Sequence, residues 1–156
     1  MNKNDIIAGL SKLGLELPTV APAAANYVPY MVSNKLVHIA GQLPFINGEK
    51  SHMGQLGNGF NIEQGQEAAQ NCALNILAQF DHAIGGDWSK FVKVVKLGGF
   101  VNATADFNDH PQVVNGASNL IGKVLGDQGK HARFAVGAAS LPFGVAVEID
   151  AIFEIA

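Results

Sequence analysis

From Val145 to Ile155 the chain alternates with a period of two. Val145, Val147, Ile149, Ala151, Phe153 and Ile155 fall on one side, and Ala146, Glu148, Asp150, Ile152 and Glu154 on the other. A strand of that kind buries its apolar face and leaves the acid-bearing face to a cleft, an interface or solvent. The rest of the chain has to supply the cover.

Two helical periods do so. From Glu63, Ala69, Cys72, Ala73, Ile76, Phe80 and Ala83 mark one face of a helix of about six turns that ends at Gly85-Gly86. Asp109 is placed to cap a second helix, with Pro111 in its first turn, Val113, Val114, Ala117, Leu120, Ile121 and Val124 buried, and Gly126 as its stop. Between them, "KFVKVVKLGGFVNAT" is a valine-rich strand whose Gly98-Gly99 pair signals a bulge or a close backbone approach. Upstream, "YVPYMVSNKLVHIAGQLPF" gives strands over 27–32 and 36–40 joined at Ser33-Asn34. "ARFAVGAAS" and the alternating segment close the chain, joined by the turn Leu141-Pro142-Phe143-Gly144.

The order β-β-α-β-α-β-β predicts an α+β fold, one mixed sheet with two long helices on one face. A first helix, with Ile6, Ile7, Leu10 and Leu13 at helical spacing, Asn4 or Asp5 as its cap and Gly14 at its end, stands before this core as an appendage. The segment "NGEKSHMGQLGNGFN" is a loop, and its glycines lack the spacing of a dinucleotide fingerprint. At 156 residues the chain is expected to be one domain.

Hydrophobic residues make up 48% of the sequence and charged residues 15%, a balance that favours surface hidden in an oligomer. The net charge of −3, with nine lysines and one arginine scattered along the chain, argues against nucleic acid as a partner. Cys72 is the one cysteine, so an intrachain disulfide and a thiolate metal site are excluded, and a reducing cytoplasm fits. The five histidines form no metal-binding pair. No stretch reaches the roughly 20 apolar residues of a membrane span.

The single arginine, Arg133, opens the strand within "GKHARFAVGAASLP". Arg133, Ala135 and Gly137 share one face of that strand, so the guanidinium rises among small side chains and leaves room beside itself. A planar fork of donors in such a recess suits a carboxylate. A structural pair with Glu148 or Asp150 is the competing reading. The strand register makes that pair awkward within one chain and points to a second subunit.

The segment "ARFAVGAASLPFGVAVEIDAI" closely resembles the signature of the RidA (YjgF/YER057c/UK114) family. "ANYVPYMVSNKLVHIAGQLPF" is similar to that family's first hairpin and "DHPQVVNGASNLI" to its second helix. The resemblance runs from about Ala25 to the end of the chain. It implies a chorismate-mutase-like homotrimer that uses no metal or organic cofactor and hydrolyses reactive 2-imino acids to 2-keto acids and ammonia in clefts between subunits. Position by position, it implies that Arg133 clamps the substrate carboxylate, Glu148 positions the attacking water and Tyr27 lines the cleft. Gly41 would hold the imine nitrogen through its carbonyl, and Asn115 and Ala135 would line the substrate site. Ala40 replaces a serine of the archetype, Ala135 a small polar residue, and His131 a proline or alanine. With the first helix and the long 47–61 loop, these mark a variant branch. A trimeric carboxylate-binding protein without turnover is the alternative, and an RNA-cleaving protein a third that the charge disfavours.

Overall fold

The computed structural model describes residues 1–20 and 26–156. In chain order the elements are α1 (Lys3–Ser11), β1 (Tyr30–Ser33), β2 (Leu36–Gln42), β3 (Gln55–Leu56), β4 (Gly59–Phe60), α2 (Ile62–Ala83), β5 (Phe91–Asn102), α3 (His110–Leu125), β6 (Ala132–Ala138) and β7 (Val147–Ile155). Five strands form one sheet in the order β1-β2-β7-β5-β6, antiparallel except for the parallel pair β5 and β6. The fold is therefore α+β with a mixed sheet, and α2 and α3 cover one face.

Period two in β7 decides which face is which. Val147, Ile149, Ala151 and Phe153 are buried beneath the helices, whereas Glu148, Asp150, Ile152 and Glu154 point the other way. Phe153 stacks on Phe80 of α2 at 4.3 Å between centroids, and Trp88 and Phe91 meet the same ring edge-on. The six positions expected to be buried on α3 are all buried. α3 lies close against α2 because Gly116 has no side chain; a Cβ there would overlap the backbone of Gln66.

Several local expectations need correction. α1 is no appendage: Ile6 and Leu10 are fully buried in the common core, and Gly9 packs against Val124 of α3. Its cap is Asn2, whose side chain accepts from the Asp5 N–H while the Asp5 carboxylate accepts from the Asn2 N–H. Asp109 holds the cap position of α3 without a side-chain cap bond, since its carboxylate accepts from the Gln112 amide instead. The first hairpin strand starts at Tyr30, leaving Tyr27 outside the sheet. Pro29 has no N–H for a ladder, and its carbonyl accepts from the Ala40 N–H at 2.9 Å. The glycine pair of β5 serves close approach: a Cβ on Gly99 would meet Val114, and one on Gly98 would meet Asp150 and Phe134. The register shifts lie earlier in that strand, between Phe91 and Lys96.

Candidate functional site

Arg133 projects from β6 toward α3. It aligns across the sheet with Leu97 and Ala151, both buried on the helix side. One terminal nitrogen, Nη1, donates to Asn115 Oδ1 at 2.9 Å and to Ser118 Oγ at 3.1 Å, and Nη2 donates to the Pro111 carbonyl at 3.4 Å. A guanidinium has five donors, so Nε–H and one Nη2 hydrogen are left over for a ligand. Among the described residues no carboxylate pairs with Arg133. The structural ion pair with Glu148 or Asp150 is not formed.

The guanidinium is held by a chain of bonds that runs back to the end of α3. The Gly129 carbonyl can only accept, so His131 Nδ1 donates to it at 2.6 Å. In the neutral ring Nε2 is then the acceptor and takes the Ser118 hydroxyl at 3.0 Å, which in turn leaves Ser118 Oγ to accept from Arg133. Asn115 and Ser118 stand three residues apart on α3 and face the same way. That spacing was visible in the sequence; Ser118 was overlooked because nothing marked its face as special until Arg133 lay beneath it.

The second group lies on the opposite side of the sheet. Pairing of β2 with β7 shifts register between Ile39 and Gln42, and this irregularity sets Gly41 against Glu148. A Cβ on Gly41 would overlap the Glu148 carboxylate, so glycine is required for that approach. Burial pushes the Glu148 carboxyl above the usual carboxylate range, and the negative charge of Asp150 two residues along adds to the rise. Glu148 aligns with Phe100 and Val136, which are exposed on the face that the helices leave bare.

The six expected residues therefore fall into two sets. Arg133 and Asn115 touch, with Ala135 two residues farther on the same strand face, beside Gly99. Gly41 and Glu148 touch, and Tyr27, 61% exposed, shares a pocket wall with Gly41. The sheet stands between Arg133 and Glu148, whereas the pocket that Tyr27 shares with Gly41 also has Asn75 and Gln79 of α2 in its wall. Cys72 is buried in α2, and burial raises its thiol well above the usual range, which leaves it inert at neutral pH. No group of three or more metal-ligating side chains occurs among the described residues, and none of their helices is long and apolar enough to cross a membrane.

The sequence profile of the family described as "YjgF/chorismate mutase-like, putative endoribonuclease" matches residues 8–153. The chain belongs to this family. Within the YjgF family it is 45% identical over 151 residues to protein TCP17 of Trypanosoma cruzi, covering 96% of this chain and 94% of that protein. The crystal structure of Atu1372, a protein of unknown function from Agrobacterium tumefaciens, is 47% identical and superposes with a TM-score of 0.92 over 99% of this chain and 96% of that one. RidA from an Antarctic Psychrobacter is 26% identical, with a TM-score of 0.59 over 88% of this chain and 94% of that one. The YjgF fold expected from the sequence is thus the fold observed.

Proposed function

We propose that the protein is an imine hydrolase that converts reactive 2-imino acids to 2-keto acids and ammonia in clefts between the subunits of a homotrimer. The observation that carries this reading is an arginine free of carboxylates among the described residues, with two donors to spare, in a chain whose Glu148 sits against Gly41 on the other face of the same sheet. The two sets reach one ligand only when the β6 edge of one subunit lies against the helix-free face of the next. Exposed Met31, Phe100 and Val136 on that face give such an assembly apolar surface to bury.

In such a cleft the spare donors of Arg133 hold the substrate carboxylate in a charge-assisted fork. The Gly41 carbonyl accepts from the iminium N–H. Glu148 of the neighbouring subunit takes a proton from water as its oxygen bonds to the imine carbon, giving a carbinolamine. The proton then passes to the amine nitrogen, the C–N bond breaks with its electron pair leaving on nitrogen, and the carbinol O–H proton is released as the keto group forms. Water is added, ammonia departs, and no redox change occurs. The imine is already electrophilic, so orientation supplies much of the acceleration.

The test is direct: 2-iminobutyrate is generated in situ and 2-ketobutyrate release is compared with and without protein. Acceleration over buffer is expected. No acceleration across several imino acids, with tight binding of 2-ketobutyrate, would instead select a carboxylate-binding protein without turnover.

A further inference from the structure

Beside Gly41 lies a pocket of about 330 Å³, far larger than the ethyl group of 2-iminobutyrate requires. Its walls include Val20, Tyr27, Leu43, Phe45 and Phe143. Gln79 of α2 also lines it. Gln79 is 6% exposed, and among the described residues its side-chain oxygen has no hydrogen-bond partner. Asn75, one helical turn earlier on the same wall, has both amide hydrogens in use: its NH2 donates to the carbonyls of Leu43 at 2.8 Å and Phe45 at 2.9 Å. A buried amide left without a partner is costly, so a site that keeps one is suited to a ligand that completes it.

The outer wall is held in place at some expense of backbone strain. Phe143 adopts φ +57°, a left-handed conformation that bulky residues rarely take. The long loop fixes it there: the Gly54 N–H donates to the Gly144 carbonyl at 2.9 Å, and the Ala146 N–H to the His52 carbonyl at 2.9 Å. Lys50 Nζ lies 4.5 Å above the Phe143 ring, and Phe45 stands 5.9 Å away, tilted against it. Thr19 and Val20, from the stretch after α1, close another side. The two features that set this chain apart in sequence, its N-terminal segment and its 47–61 loop, therefore converge on one pocket next to Gly41.

We propose that this pocket receives the side chain of the imino acid and selects an aromatic body carrying a neutral hydroxyl at its tip. The inference rests on the imine-hydrolase reading for the position of the reacting carbon, and the pocket's preference is separable from turnover. Aromatic rings match the Phe45, Phe143 and Tyr27 walls. A hydroxyl both donates and accepts, so it satisfies the Gln79 amide in either orientation. A charged tip would lose hydration opposite a neutral, buried amide.

The experiment compares matched 2-keto acids by calorimetry on the full chain: 4-hydroxyphenylpyruvate against phenylpyruvate. The hydroxylated acid is expected to bind about tenfold tighter, and Gln79→Leu is expected to bring the ratio close to one. Equal or weaker binding of the hydroxylated acid to the wild type overturns the inference, as does an unchanged ratio in a folded Gln79→Leu protein. In parallel, imines generated from tyrosine and phenylalanine are offered as substrates. If the binding preference holds while neither imine nor 2-iminobutyrate is hydrolysed faster than in buffer, the hydrolase reading falls and the pocket assignment stands.

Discussion

Arg133 and Glu148 occupy opposite faces of one sheet: Arg133 aligns with Leu97 and Ala151 beneath the helices, Glu148 with Phe100 and Val136 on the bare face. In the proposed assembly a ligand touching both touches two subunits. Removal of the clamp by Arg133→Ala is expected to cost about 2 to 4 kcal/mol in kcat/KM, the range for losing a charge-assisted anchor from a recess. Arg133→Lys recovers little of it, because an ammonium cannot reproduce the fork. Steady-state kinetics on 2-iminobutyrate measures both.

In the proposed reaction Ser118 acts through Arg133. Loss of its hydroxyl in Ser118→Ala frees the guanidinium from one of its three partners and breaks the link to His131. The expected outcome is a KM raised about fivefold with kcat nearly unchanged, since the support is equal in ground and transition states. A fall in kcat alone would show that Ser118 acts on the chemistry instead.

Gly41→Ala tests the approach of β2 to β7. The added methyl overlaps the Glu148 carboxylate, the far end of a flexible, half-buried side chain that must shift to admit it. Activity is expected to fall by about 10²-fold, the scale of a displaced general base, while the thermal midpoint changes little. Activity and melting on the same preparation separate the two effects.

In the proposed mechanism the acid limb of the pH profile belongs to Glu148, which must be ionised to take a proton from water. Its carboxyl is raised first by burial and then by Asp150. A raised value moves the loss of activity to higher pH, so the limb is expected above the ordinary carboxylate range. Asp150→Asn removes one cause of the rise, and the limb is expected to move to lower pH. A kcat/KM profile of the two proteins gives the direction.

The fold was legible because each element carried its own period. β7 keeps period two from Val147 to Glu154, and α3 buries all six of the positions its spacing picked out. Helix caps were harder, since Asn2, Asn4 and Asp5 all suit the role; Asn2 takes it, with Asp5 as its reciprocal partner. The site residues were legible one at a time. Their division between two faces was not, because it follows from β5 being inserted between β6 and β7, a long-range pairing that no local period records. Gln79 and Phe143 escaped for the same reason: one looks like an ordinary helix glutamine and the other like a turn residue until the pocket between them is formed.

A complementation assay tests the shared site most directly. Arg133→Ala and Glu148→Gln proteins are each expected to be nearly inactive. Denatured together in equal amounts and refolded, they form mixed trimers in which an intact arginine faces an intact glutamate at about a quarter of the interfaces. Imine hydrolysis at about a quarter of the wild-type rate is predicted for the mixture. A mixture as inactive as its parents, with mixed trimers confirmed by mass, would contradict a site built from two subunits.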